Sequence, residues 1–263
     1  MEQYIQCGDI AENPLYVKEL GIHIYTAEEF CYYIFNNTYL LGEDFIRQEV
    51  IDFFRVELHM PELADSADMG AVLVMIMREI GYYEENQIQQ FQNRLDRMNR
   101  QSLLERSKER GDLLLDKGRF ECAVQIYSQT LQMPRDLRQK PQFYGQILQH
   151  MGVAYLRMGY ADEAMECLEA AYAELKREEI LEQMYYLALQ TGKPFAKELE
   201  CVASSQISRW QAHYMEVETR LQEQSEQETV VRSIGEDNEI NLKISQDYLT
   251  QRKRAYCHMV MDE

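Results

Sequence analysis

His150–Ala171 reads HMGVAYLRMGYADEAMECLEAA, and the spacing of its small and large residues decides the fold. The pattern consists of Gly152, Tyr155, Gly159, Ala164, Leu168 and Ala171. The same spacing occurs 41 residues earlier, in Gly111, Leu114, Gly118, Ala123, Tyr127 and Thr130. Small residues let two helices approach closely, and large residues fill the space between them. Neither helix pair buries its apolar stripe alone, so we predict two antiparallel helix pairs stacked on each other.

Two glycines in this pattern mark helix ends. Gly118 and Gly159 each follow the first helix of a pair. Helices commonly end on a residue in the left-handed conformation, which glycine adopts at the lowest cost because it has no Cβ. We therefore predict a left-handed turn at both positions.

This pattern of paired helices resembles the tetratricopeptide repeat. The resemblance covers residues 101–204, and a third unit begins near Ile180. The family repeats about every 34 residues, whereas the two units here lie 41 residues apart, with the surplus between Leu131 and Pro141. The resemblance implies an all-α chain whose helix pairs stack as a short right-handed solenoid.

The resemblance also implies a peptide-binding groove on a concave face, lined by the first helix of each pair. Carried over by matching offset, its positions are Glu105, Lys108, Asp112, Leu115, Asp116, Gln146, Gln149, Val153, Leu156 and Arg157. Chaperone-tail binders of the family clamp a terminal carboxylate with a lysine and an asparagine. Lys108 matches that lysine, but Asp112 replaces the asparagine, and Asp116 adds a second acid. These acids favour a partner with basic and amide-bearing groups.

The N-terminal region, residues 1–100, is expected to be an acidic helical bundle. Thr26 and Glu29 form a capping box that predicts a helix over 27–36. The apolar run Met69–Met77 predicts a buried helix, and a continuous stripe predicts one amphipathic helix from Glu84 to about Arg106.

The C-terminal region, residues 205–263, is expected to hold a capping helix, a linker at Gln222–Asn238 and a terminal helix from Ile240 to about Met259. The capping helix carries a heptad seam at Ile207, Trp210, Tyr214, Val217 and Leu221. Such a seam fits a cap on the solenoid, and the alternative is a dimeric coiled coil.

Charge and composition limit the class of partner. The formal net charge is −18, which disfavours nucleic acid and anionic membranes. The run Met69–Met77 is far shorter than the ~20 residues of a membrane span. The six cysteines lie far apart in a chain without an N-terminal signal pattern, so we expect a cytoplasmic protein with reduced thiols.

No motif in the chain predicts catalysis, a cofactor or a metal. Gly192-Lys193 is followed by Pro194 instead of a phosphate-loop hydroxyl, and the five histidines lack metal-ligand spacing. We therefore expect an intracellular adaptor or scaffold that binds a peptide or protein, and not an enzyme. Two alternatives stay open, a peptide-sensing regulator of another protein and an enzyme of unrecognised type.

Adjacent tyrosines provide a second candidate surface. Tyr32-Tyr33, Tyr82-Tyr83 and Tyr185-Tyr186 are such pairs among 18 tyrosines. Neighbours on a helix point about 100° apart, so the two rings of a pair cannot both face the core equally. Some of these rings should therefore reach the surface, where tyrosine makes strong contacts with partners.

Overall fold

A computed structural model describes residues 9–42, 45, 48–60, 69–136, 138–192 and 197–233. Within these ranges the chain forms ten α-helices and one two-stranded sheet, so it is predominantly helical, which is consistent with the predicted all-α class. The chain divides into two compact units, Met1–Leu187 and Ala188–Glu263. The first unit holds both the N-terminal helices and the two predicted helix pairs. The three regions inferred from the sequence stay a prediction.

The first unit opens with a short β-hairpin that sequence analysis missed. Strands β1, Leu15–Val17, and β2, Ile22–Ile24, pair antiparallel with Leu15 opposite Ile24. Gly21 in the connecting turn has a φ of 64°, in the left-handed region that favours glycine. Three-residue strands are too short to show the alternation from which a strand is recognised.

The helix predicted over 27–36 is confirmed. Helix α1, Ala27–Asn36, begins with the capping box, in which Thr26 Oγ1 accepts from the Glu29 amide at 3.2 Å. A 3-10 turn at Thr38–Leu40, helix α2 (Gln48–Asp52), a π-helical turn (Phe53–Glu57) and helix α3 (Met69–Ile80) follow. Their core is apolar, with Phe30, Ile34, Phe54, Leu73, Met77 and Phe91 fully or nearly fully buried.

The single amphipathic helix predicted from Glu84 to Arg106 is wrong, because two helices occupy that stretch. Helix α4 spans Glu85–Arg100 and α5 spans Leu103–Asp116. Ser102 is the N-cap of α5 and has an extended backbone conformation. Its Oγ accepts a hydrogen bond from the Glu105 amide at 3.2 Å, and Glu105 Oε2 accepts one from the Ser102 amide at 2.8 Å. This capping box starts a new helix although the apolar stripe continues.

The two predicted helix pairs are present in the first unit. Helix α5 packs on α6, Phe120–Gln132, and α7, Pro141–Met158, packs on α8, Ala161–Leu175, while α6 contacts α7. The links within each pair are only a few residues long, which makes the paired helices antiparallel. Helix α9, Glu178–Thr191, begins where a third unit was expected.

Both predicted left-handed turns are confirmed. The φ angle is 71° at Gly118 and 85° at Gly159. The residue after each glycine donates its backbone amide to a carbonyl of the preceding helix. Arg119 donates to the Leu114 carbonyl at 2.8 Å, and Tyr160 donates to the Tyr155 carbonyl at 2.9 Å. This is the Schellman arrangement, so the two sequence repeats also share their local geometry.

The core of the first pair also includes an N-terminal residue. Leu40 packs with Leu114, Ala123, Tyr127 and Ile147 in one buried cluster. The turn Thr38–Leu40 therefore contacts the first repeat directly. This contact joins the N-terminal helices to the repeats within the first unit.

The second unit contains a 3-10 turn at Lys197–Cys201 and helix α10, Ser204–Ser233. The helix continues through Gln222–Ser233, so the linker predicted to begin at Gln222 is wrong there. Glutamate and glutamine are good helix formers, and polarity alone does not end a helix. Trp210 is buried, whereas Val217 and Leu221 of the predicted seam are exposed. The predicted terminal helix at 240–259 lies outside the described residues.

Across the described ranges, no helix has the length and hydropathy needed to span a bilayer.

Replacement of Gly111 by alanine should destabilise the protein. A Cβ at this position would overlap the Tyr127 ring, which is fully buried and held by a hydrogen bond of its hydroxyl. Overpacking of this kind costs roughly 2 kcal/mol of unfolding free energy, which urea denaturation would measure. Gly42→Ala is the matched control, because a Cβ there meets no atom within 4 Å. Equal stability of the two variants would contradict the close packing of α5 on α6.

Candidate functional site

Asp112 is the centre of a polar cluster that joins α5, α6 and α7. Its Oδ1 accepts from the Tyr127 hydroxyl at 2.7 Å and lies 2.7 Å from His150 Nδ1. Its Oδ2 accepts from Lys108 Nζ at 2.5 Å. Two of the predicted groove residues, Lys108 and Asp112, are thus brought together, but they form an ion pair with each other.

The cluster keeps Asp112 ionised. Burial alone would raise the pKa of this carboxyl, but hydrogen bonds from His150, Lys108 and Tyr127 outweigh it and lower the pKa to about 2. The Lys108 side chain is only 12% exposed and its charge is balanced by Asp112. Lys108 therefore does not present a free ammonium group to a carboxylate, as a clamp for a peptide terminus would require.

Glu105 also has a structural role. Besides capping α5, its Oε1 accepts from Gln139 Nε2 at 3.1 Å, which ties the α6–α7 connection to the start of α5. Hydrogen bonds from Gln139 and from Ser102 lower the pKa of Glu105. Its carboxylate is therefore already satisfied within the fold.

Glu105 and Gln146 line one open depression of about 890 Å³. The depression lies where the end of α4, the start of α5, the α6–α7 connection, the start of α7 and the α8–α9 connection meet. Arg100, Arg138, Lys140 and Arg177 supply cations, and Gln101, Gln139, Gln142 and Gln146 supply amides. The two acids of the lining are Glu105 and Asp136. This surface thus combines positive charge with amide groups in an acidic chain.

The charges in the depression are not equally available. Arg138 is paired with Asp136, with Nη2 2.9 Å from Oδ2. Arg100, Lys140 and Arg177 are exposed and have no ion-pair partner among the described residues. The available charge of the depression is therefore positive.

The remaining predicted groove residues lie on α5 and α7 but not in this depression. Gln149 Nε2 donates to Gln183 Oε1 of α9 at 3.1 Å. Leu115 and Val153 are half-buried, and Asp116, Leu156 and Arg157 are exposed. The site residues inferred from the resemblance thus fall into three sets. Lys108 and Asp112 belong to the polar cluster, Glu105 and Gln146 line the depression, and the other six lie elsewhere on α5 and α7.

Sequence reasoning missed several of the residues that shape these sites. His150 stands next to a predicted position, but nothing in its spacing indicates a contact with Asp112 from another helix. Arg100 is the last residue of α4, whereas Lys140 and Arg177 lie in two different connections between helices, and only the folded chain brings the three to one depression. The 41-residue offset gave one hint, since its surplus lies in the connection that carries Lys140.

Among the described residues, no cluster of three or more histidine, cysteine, aspartate or glutamate side chains could hold a metal ion.

Comparison with known proteins does not place the chain in a family. The chain matches no known protein-family model, and no curated protein is significantly similar to it. The resemblance to the tetratricopeptide repeat therefore depends on the residues of the pattern and stays a prediction.

Removal of the Asp112 side chain should destabilise the fold. Asp112→Ala leaves the buried Tyr127 hydroxyl and the Lys108 ammonium without their acceptor, at a cost of about 2 to 3 kcal/mol of unfolding free energy. Asp116→Ala is the matched control, because Asp116 is exposed on the same helix. Chemical denaturation at neutral pH measures both. A loss in Asp112→Ala no larger than in the control would refute the role of the cluster.

The cluster should also make stability depend on pH in the acid range. The pKa of Asp112 is lower in the folded protein than its ordinary 3.8, so its stabilisation is complete above the ordinary range and is lost as pH falls through 3.8 towards 2. The contribution is on the order of 2 kcal/mol. The difference in unfolding free energy between wild type and Asp112→Asn should therefore shrink from pH 6 to pH 2. A constant difference would exclude a lowered pKa at Asp112.

Proposed function

We propose that this chain is an adaptor that binds an extended segment of a partner protein across α5 and α7. The observation that carries the proposal is the open depression at the start of these two helices. It is large enough for several side chains of a peptide, and its open side leaves a continuous path for a backbone. In repeat proteins, stacked helix pairs commonly create extended binding surfaces of this kind.

The charges in the depression support a partner segment with acidic and amide groups. The expectation of a basic partner rested on Asp112 and Asp116, but the charge of Asp112 is balanced by Lys108. Arg100, Lys140 and Arg177 leave a positive potential in the depression, and the glutamines can exchange hydrogen bonds with amides. Complementary charge of this kind contributes mainly to specificity and to the rate of association.

The regulator is the second candidate, and one observation favours it. The N-terminal helices are packed onto the first repeat through Leu40, and Glu19 Oε1 lies 3.7 Å from Arg110 Nη2 of α5. A ligand on α5 would therefore sit on a helix that the N-terminal region contacts directly. Both candidates use the same depression and differ in whether the N-terminal region responds to occupancy.

The cytoplasm is the proposed compartment. Cys31, Cys122, Cys167 and Cys201 are free thiols, and burial raises the pKa of Cys31 to about 12. Such a thiol stays protonated and unreactive at neutral pH. These thiols suit the reducing conditions of the cytoplasm.

Charge reversal in the depression should weaken the binding of an acidic peptide. The measurement is fluorescence anisotropy with labelled peptides of equal length rich in Glu and Gln, in Lys and Gln, or in Ser and Gln. We expect the acidic peptide to bind best and Arg100→Glu/Arg177→Glu to weaken it about tenfold, as loss of roughly 1.4 kcal/mol requires. Lys18→Glu/Arg55→Glu changes the net charge equally at exposed positions outside the depression and should leave binding unchanged.

Two outcomes would contradict the proposal. Equal weakening by both double variants would assign the effect to net charge alone. Absence of saturable binding for all three peptides would exclude the depression as a peptide site.

A further inference from the structure

The start of α7 carries positive charge that the helix itself does not compensate. Its N-cap is Lys140, whose side chain makes no capping hydrogen bond, and its first turn contains no acid. A cation at this end opposes the helix dipole, which is positive at the N-terminus. The first backbone amides of a helix also have no acceptor within the helix. Lys140 is therefore an unfavourable residue for the stability of α7 alone.

Other helices of the chain begin in the opposite way. Capping boxes start α1, α4 and α5, and acids occupy the first turns of α6, α8 and α9. Either arrangement places an accepting or negatively charged group at the positive end of the helix. The start of α7 has neither, and it lies in the depression. A bound anion would take the place of the missing group.

Two further cations line the same depression. Arg100 is the last residue of α4 and Arg177 directly precedes α9, and both side chains are exposed. Of the two acids in the lining, Asp136 is paired with Arg138 and Glu105 accepts from Gln139 and Ser102. Four cations against these two acids give the lining a net charge of +2, in a chain whose formal net charge is −18.

This charge fits a phosphate group better than a carboxylate. A phosphate monoester carries about −1.5 to −2 at pH 7 and has three strong acceptor oxygens, whereas a carboxylate carries a single charge. Guanidinium groups bind phosphate through two parallel hydrogen bonds, and backbone amides at a helix start bind it as well. Arg100, Arg177 and the start of α7 offer both kinds of donor around one depression.

The neutral part of the lining favours a phosphate that is attached to a peptide. Gln142 and Gln146 lie four residues apart on α7, so they share one face of the helix and extend the surface along it. Amide side chains both donate and accept, which matches the alternating groups of an extended backbone. A free phosphate ion would leave these amides without a ligand.

We propose that the depression binds a phosphorylated serine or threonine within the partner segment. The phosphate lies at the start of α7, next to Lys140, and the two arginines add attraction through their charge. The glutamines of α7 contact the backbone beside the phosphorylated residue. The proposal rests on the proposed adaptor function and names the chemistry by which the partner is recognised. Phosphorylation of the partner therefore controls binding.

Three peptides that differ at one position test the proposal on the full chain. The frame is the peptide rich in Glu and Gln, with phosphoserine, glutamate or serine at its centre. We expect fluorescence anisotropy to show the phosphoserine peptide binding about tenfold more tightly than the glutamate peptide, and the serine peptide binding most weakly. Inorganic phosphate should displace the phosphoserine peptide only at concentrations far above that of unlabelled peptide.

One variant separates binding from stability. Lys140→Asp supplies a preferred N-cap and a negative charge, so it should raise the urea midpoint of unfolding. The same change should weaken binding of the phosphoserine peptide about tenfold or more, because like charges then meet at the start of α7. Lys18→Asp is the matched control, since it makes the same change of charge at an exposed position outside the depression and should bind as wild type does.

The outcomes distinguish the phosphate from the adaptor. Equal affinity for the phosphoserine and glutamate peptides would overturn the phosphate assignment and leave the adaptor standing, whereas absence of binding for all three peptides would exclude the adaptor itself. Displacement by inorganic phosphate at the concentration of unlabelled peptide would show a site for the free ion and overturn the assignment to a peptide. Unchanged affinity in Lys140→Asp, or a lowered urea midpoint, would overturn the role given to the start of α7.

Discussion

The close approach of α5 to α6 at Gly111 is the constraint on which the repeat region depends. The absence of a Cβ lets the Tyr127 ring lie directly against the α5 backbone, fully buried. The same placement brings the Tyr127 hydroxyl to Asp112, one residue further along α5. Asp112 then receives Lys108 from its own helix and His150 from α7. One glycine thus permits both the apolar and the polar contacts that hold three helices together.

This cluster changes the interpretation of the predicted groove. From the sequence, Lys108 and Asp112 are charged residues on the first helix of a pair, available to a ligand. In the folded chain they neutralise each other, and a partly buried ion pair contributes little attraction to a distant charge. The available charge lies instead in Arg100, Lys140 and Arg177, at the ends of helices and in their connections. The position of the binding surface therefore depends on which charged side chains are left without an ion-pair partner within the folded chain.

The second pair shows the same principle with different residues. Gly152 allows the backbone of α7 to approach α8, where a Cβ would come within 3.2 Å of the Ala164 carbonyl oxygen and of Leu168. Gly145, about two helical turns earlier, lies against Leu175 and extends this close contact along α7. Gly145 is outside the repeat pattern, so spacing alone did not indicate its role. Leu168 replaces Tyr127 and Val153 replaces Asp112 at the equivalent positions, so the hydrogen bond between those two side chains has no counterpart in the second pair.

The sequence by itself determined the helical class, the two helix pairs and the left-handed turns at Gly118 and Gly159. Those features depend on contacts between residues close in the chain, where spacing and the lack of a Cβ are visible directly. The break between α4 and α5 was also encoded locally, in Ser102 and Glu105, but the continuous apolar stripe concealed it. Only the tertiary structure decided that Asp112 also contacts Tyr127 of α6 and His150 of α7, and that Arg100, Lys140 and Arg177 share one depression. Each of these depends on side chains far apart in sequence, whose meeting is set by how the helices pack and not by any period along the chain.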